Sequence, residues 1–366
     1  MQSGWLESFG RKPARQENDD GVSRREFLHS GLVTGVAAGM ATGGVLSGQQ
    51  VAQAQPAGGG ANTPIGPKWW PSRWGPQDEA GGTNWITPEK VLEAAKLIKT
   101  GKIYRIGRVY EAKMPLFGER VFALRIPGSP TGGPFGKNKL VYHDEYVATE
   151  IGQVGTQFDG LGHIGCVIGK DGDKTEMRYY NGFTEQEIGQ PNGLAKLGIE
   201  KLKPIFTRAI LVDVAGLKGR MLNMGEEIKP ADVLAALQRQ NIAESSIKPG
   251  DGIFFNTGWG SLWMKDNAKF NEGAPGIGLE VARWVVGKQA ALVGSDHWAT
   301  DVVPNPDPDL AFACHQELIT KNGILNHENL NFDELIADKA YEFVYVFAPT
   351  PLKGATGSAG GPIAIT

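Results

Sequence analysis

Gln153, Gln157, Asp159 and His163 place two amides, a carboxylate and an imidazole within the twelve residues Gly152–His163, with Gly155, Thr156, Gly160 and Gly162 between them. Side chains on a strand alternate with period two, so a strand running into a loop here puts Gln153, Gln157 and Asp159 on one face. Gly160 and Gly162 allow the sharp turn that returns His163 to the same point. Three oxygen donors and a ring nitrogen converging in this way suit a metal pocket or an acid–base site. The same pattern also fits a glycine-bent strand whose amides satisfy buried backbone groups.

Further chemistry-bearing residues lie downstream. Asp296 and His297 follow the apolar run Ala291–Gly294. The carboxyl end of a strand in an open α/β sheet is where ligand sites form, so both are candidates for contacting substrate, with loop capping as the alternative for Asp296. His315 falls on the expected helix Leu310–Asn322, on a largely apolar face, and Glu328 stands in Asn326-His327-Glu328-Asn329-Leu330. The two cysteines, Cys166 and Cys314, are too few for a disulfide framework. Cys314 and His315 are adjacent on that helix, so they point about 100° apart and make a poor nucleophile–base pair.

The elements that must hold these residues read as a soluble globular chain of 366 residues with net charge −3, which gives no electrostatic case for nucleic-acid binding. Thr87 as N-cap and Pro88 at the first turn open a helix stopped by Gly101, with Val91, Leu92, Ala95 and Ile98 forming its apolar face. Short strands follow at Val121–Ile126 and Leu140–Thr149 around a Gly/Pro loop, 126–134. Beyond the glutamine stretch, strands and helices alternate: strand Ala209–Val214, helix Pro230–Gln240, strand Ile253–Thr257, helix Leu279–Val286, then strands Ala291–Gly294 and Tyr341–Ala348. The pattern predicts an α/β fold with a mixed central β-sheet, partly barrel-like, flanked by helices.

At the other end, Arg24-Arg25 precedes a Gly/Ala-rich, weakly apolar run from Gly31 to Gly48 and the small-x-small site Ala52-Gln53-Ala54. Residues 1–54 therefore read as a twin-arginine signal peptide, with the translocation machinery as a partner and a periplasmic or secreted destination. Residues 55–68 read as a flexible linker and 69–366 as a single domain. Four tryptophans, Trp69, Trp70, Trp74 and Trp85, fall within seventeen residues. They either cover a pocket, with Trp74 a substrate contact, or bury at a subunit interface.

The Gly152–His163 stretch resembles the signature of the cyclase family of metal-dependent hydrolases, which includes bacterial kynurenine formamidase and isatin hydrolase. That signature reads His-x-Gly-Thr-His-x-Asp-x-x-x-His. Gly155, Thr156, Asp159 and His163 match it, whereas Gln153 and Gln157 stand at the two leading histidines. The Arg73-Trp74-Gly75 opening, the His315…Glu328 pair and the Pro351-Leu352-x-Gly354-x-x-Gly357 tail are similar too. The resemblance implies a homo-oligomeric enzyme that opens a small cyclic or acylated amide or ester with a metal-activated water, of arylformamidase, isatin hydrolase or lactonase type. It implies Asp159, His163, His315, Glu328, Gln153 and Gln157 as metal ligands by position, and His163 with Asp159 as catalytic groups. Manganese or zinc is the expected cofactor. Two amides in place of imidazoles reduce the preference for zinc. The alternative is a periplasmic small-molecule binding protein of this fold that has lost catalysis.

Overall fold

The computed structural model describes residues 62–366, all within one compact unit. The signal-peptide reading of 1–54 lies outside the described residues. The described end of the expected linker is ordered: Asn62–Thr63 pairs antiparallel with Gly66–Pro67. There Thr63 Oγ1 bonds Gly66 O, and the Lys321 ammonium donates to Ile65 O at 3.2 Å. Among the described residues no helix is long and apolar enough to cross a membrane.

A nine-stranded, curled half-barrel sheet carries the chain. Its strands are β1 (Ile103–Arg105), β2 (Gln157–Asp159), β3 (Ile205–Asp213), β4 (Gly252–Asn256), β5 (Leu292–Ser295), β6 (Leu325–Glu328), β7 (Glu342–Phe347), β8 (Gly357–Ala359) and β9 (Ile363–Ile365). They are ordered β8-β2-β6-β5-β4-β3-β7-β9-β1. The four central strands, β6 to β3, run parallel, and the flanking strands pair antiparallel. This is the mixed α/β sheet that the alternating pattern predicts.

Parallel strands buried on both faces are apolar throughout, and here the period of two sorts them between two cores. Ala209, Leu211, Phe254 and Leu292 face a core with Phe158, Phe343 and Tyr345. Ile210, Val212, Ile253, Phe255 and Val293 face the helices. The principal helices are α1 (Pro88–Ala95), α2 (Pro230–Arg239), α3 (Leu279–Gly287) and α4 (Ala313–His315). The last continues as a π-helical stretch, Gln316–Lys321, ended by Gly323 at φ +64°.

Two expectations are corrected. Thr87 does cap α1, accepting from the Lys90 N–H at 3.2 Å, but the helix buries Lys90 and Ala94, while Leu92 is 67% and Ile98 38% exposed. The reason is electrostatic: the Lys90 ammonium pairs with Asp251, which is fully buried and also takes Arg208 at 2.9 Å. An ion pair at this depth sets the helix face in preference to the apolar periodicity. The loop expected at 126–134 supplies a strand, Gly132–Phe135, paired with Leu140–Tyr142. With the Phe122–Arg125/Tyr146–Thr149 pair it forms an arm outside the main sheet.

Candidate active site

The site lies where β2 and β6 pair. Their antiparallel register sets Asp159 opposite Asn326 and Gln157 opposite Glu328. Period two then points Gln157, Asp159, Asn326 and Glu328 to one face, and Phe158 and His327 to the other. On that other face His327 contacts Phe158 edge-on at 5.1 Å, and its Nδ1 meets the Tyr345 hydroxyl at 2.5 Å. His315 reaches the site from α4, just before the π stretch, a helix irregularity common at functional sites.

Asp159, His315 and Glu328 are all buried, and one ligand atom from each lies within 4.8 Å of the others. His315 Nε2 is 3.5 Å from Asp159 Oδ2 and 3.3 Å from Glu328 Oε1. The opposite ring nitrogen, Nδ1, is 2.7 Å from Asp301 Oδ1, while Asp301 Oδ2 accepts the Cys314 N–H at 2.8 Å. Asp301 thereby fixes the ring and its tautomer, as outer carboxylates do for histidine ligands. The Asn326 amide nitrogen donates to Glu328 Oε1 at 2.7 Å and Asp159 Oδ2 at 3.1 Å, and its carbonyl accepts from Thr300 at 2.8 Å.

The electrostatics divide the two carboxyls. Burial pushes Glu328 up, and the neighbouring Asp159 charge adds to this, so it sits at about 7. Burial opposes ionisation of Asp159 as well, but His163, His315 and Asn326 outweigh it and hold that carboxyl below its usual range. His315 also resists its burial: Asp301, Asp159 and Glu328 keep it well above the ordinary imidazole value. His163, 22% exposed, stands at the rim with Nε2 3.9 Å from Asp159 Oδ1, and burial lowers its pKa despite that carboxylate.

The expected metal residues thus gather, in two roles. Asp159, His315 and Glu328 form a buried set of two carboxylates and an imidazole, a donor combination suited to a divalent cation. The residues fit such an ion on their chemistry, because His315 Nε2 faces both carboxyls and can exchange its proton for a cation while Asp301 holds Nδ1. Gln153 and Gln157 turn their amide nitrogens to the carboxylates, Gln153 to Asp159 Oδ1 at 3.4 Å and Gln157 to Glu328 Oε2 at 2.6 Å.

A small pocket opens onto the glutamines. It is lined by Gln153, Gln157, Asn329, Arg120, Phe117 and Trp298 among others, with the Phe117 and Trp298 rings stacked at 4.4 Å. The residues expected to touch substrate do not line it. Trp74 packs edge-on against Trp85 at 5.6 Å, with Arg73 over the Trp85 ring. Asp296 gives both oxygens to the turn after β4, accepting from the Thr257 N–H, the Thr257 hydroxyl and the Gly260 N–H at 2.6–3.0 Å. His297 is buried, its Nδ1 3.4 Å from the Ala299 N–H. Trp298, one residue on, is the tryptophan that lines the pocket.

Sequence reasoning missed Asn326 and Asp301. A strand reading of Leu325–Glu328 would have revealed Asn326, because period two pairs it with Glu328. Asp301 has no local signal, since its role depends on α4 packing over the Thr300 turn, where φ is +55°.

The nine-stranded mixed sheet and its buried carboxylate–histidine centre define an α/β protein built around a candidate hydrolytic or binding site. The Cyclase family model, "Putative cyclase", matches residues 82–302, and the chain belongs to this family. A crystal structure of "a novel cyclase" is 30% identical with a TM-score of 0.70, covering 80% of this chain and 96% of its own. Isatin hydrolase A from Ralstonia solanacearum is 18% identical with a TM-score of 0.53, covering 76% and 97%. Isatin hydrolase A from Labrenzia aggregata is 17% identical with a TM-score of 0.52, covering 72% and 93%. No match was found among curated proteins.

Proposed function

We propose that the chain is a metal-dependent hydrolase that opens a small cyclic or acylated amide or ester, of arylformamidase, isatin hydrolase or lactonase type. The observation that carries this reading is the buried Asp159–His315–Glu328 cluster with His163 at its rim, in a fold shared with isatin hydrolases. Asp159, His315 and Glu328 would hold one divalent cation, manganese in preference to zinc because two of the three ligands are carboxylates and glutamines stand where further imidazoles would favour zinc. When bound, the cation polarises a carbonyl and brings the pKa of water toward neutrality. His163, neutral at pH 7 because burial lowers its pKa, takes the proton from the attacking water and returns it to the leaving group. Asp159 Oδ1 lies 3.9 Å from Nε2 of that imidazole, and the stacked Phe117 and Trp298 rings line the adjoining pocket.

The test is turnover of a panel of N-formyl arylamines, lactams and lactones. His163→Gln should retain metal and lose roughly 100-fold or more in kcat, the usual contribution of a positioned acid–base group. A His163→Gln enzyme of wild-type kcat would remove that role. A second reading, a binding protein that has lost catalysis, is favoured by one observation: both glutamines turn donors, not lone pairs, toward the carboxylates. Saturable ligand binding without turnover across the panel would select it. Export through the twin-arginine route to the periplasm is supported by Arg24-Arg25 and the Ala52-Gln53-Ala54 site. Homo-oligomer formation is supported by the 122–149 arm, which exposes Leu124, Phe135 and Tyr146 by more than half.

A further inference from the structure

Two amide side chains on the pocket wall are oriented by their partners. Gln153 directs Nε2 to the Asp159 carboxylate at 3.4 Å, and Asn329 directs Nδ2 to the Gly155 carbonyl at 2.7 Å. Carboxylate and carbonyl oxygens only accept, so the NH2 end of each amide must face them and the C=O end must face away. Gln153 Oε1 and Asn329 Oδ1 are both buried and have no hydrogen-bond partner among the described residues. Asn329 is 4% exposed and fixed at φ +56°, and both residues line the same pocket. A buried acceptor without a donor is costly, and two of them beside one pocket call for a ligand that brings donors.

We propose that Gln153 Oε1 and Asn329 Oδ1 select a substrate bearing free N–H, such as an N–H lactam, imide, ureide or primary amide, over its N-alkyl or ester counterpart. The inference rests on the hydrolase reading for its substrate class and deepens it. An N–H donor satisfies the orphaned oxygens, whereas an N-alkyl group or ring oxygen leaves them unpaired. Sites built to bond an N–H discriminate strongly against analogues that lack it.

The experiment compares isatin with N-methylisatin on the manganese-loaded protein, reading both kcat/KM and Kd by calorimetry. Wild type should favour isatin roughly tenfold or more in Kd. Gln153→Met, close in shape but a poor acceptor, should narrow that ratio severalfold while keeping its metal content and melting temperature. Equal handling of the two compounds by wild type overturns the inference but leaves the hydrolase reading standing. Preferential binding of isatin without turnover of any panel compound does the reverse. A ratio unchanged in Gln153→Met assigns the preference to shape and overturns the inference. So does loss of metal from that variant, which would make Gln153 part of the metal site through Oε1 or through Nε2 on Asp159, or failure of both compounds to bind at millimolar concentration.

Discussion

Asp301→Asn isolates the group that aims His315. Asp301 uses one oxygen on His315 Nδ1 at 2.7 Å and the other on the Cys314 N–H at 2.8 Å. Asparagine keeps the shape but offers one acceptor and one donor, so one of these contacts must change sign. If the new NH2 faces the Cys314 N–H, a backbone donor under a residue only 1% exposed goes unsatisfied, at a cost of about 1–3 kcal/mol. If it faces the imidazole, Nδ1 must accept and the ring proton moves to Nε2. That nitrogen points at Asp159 and Glu328, and once protonated it has no lone pair for a cation. Loss of an outer carboxylate of this kind weakens metal affinity by roughly 10–100-fold, about 1.4–2.7 kcal/mol. Calorimetric titration with manganese reads the second branch, and thermal melting of the metal-free protein reads the first. Unchanged Kd together with unchanged Tm would refute the reasoning, because both branches would then be closed.

Two further outcomes follow from buried charge elsewhere. Asp251→Asn strands Lys90 and leaves Arg208 with Glu342 as its one carboxylate beside its bonds to Ser246, and it should destabilise the fold by roughly 3–5 kcal/mol in urea unfolding; a loss below about 1 kcal/mol would contradict the view that this ion pair sets the face of α1. Burial holds His297 at about 4, below the ordinary imidazole value despite Asp296 and Asp301. Its unfolded form therefore takes up a proton first, so its contribution is complete above pH 6.5 and is lost as pH falls toward 4. Relative to His297→Gln in the same metal state, wild type should lose about 1.6 kcal/mol between pH 6.5 and 5. Parallel pH profiles would show that the ring is not buried neutral.

Much of the architecture is legible in the alternation of apolar runs, because β3, β4 and β5 are buried on both faces and leave few other readings. The site is legible where spacing is local: Gln157 and Asp159 share a strand face and the Gly160–Gly162 turn brings His163 within 3.9 Å of Asp159, but Gln153, expected on the same strand, stands before β2 in a turn that Gly155 bends at φ +61°. It is less legible where residues meet only through packing. His315 and Glu328 come together because the π-helical stretch that continues α4 packs against β6, and the family resemblance identified them where periodicity alone left His315 as a core residue. Trp74, Asp296 and His297 have plausible chemistry and position, yet their partners are the Trp85 ring, the Thr257 turn and the Ala299 backbone. Composition cannot distinguish a tryptophan that packs on its neighbour from one that walls a pocket, and Trp298 holds the latter place.

The measurement that bears most directly on the central claim is the metal content of the protein purified without chelator and titrated with manganese. One divalent ion per chain, lost in both Asp159→Asn and Glu328→Gln, is the expected result, because among the described residues only one cluster of carboxylates and imidazole is complete while Gln153 and Gln157 present amide donors. Two ions per chain would restore the glutamines as ligands. No binding at millimolar manganese, or full metal content in either variant, would contradict the claim that Asp159, His315 and Glu328 form the metal centre.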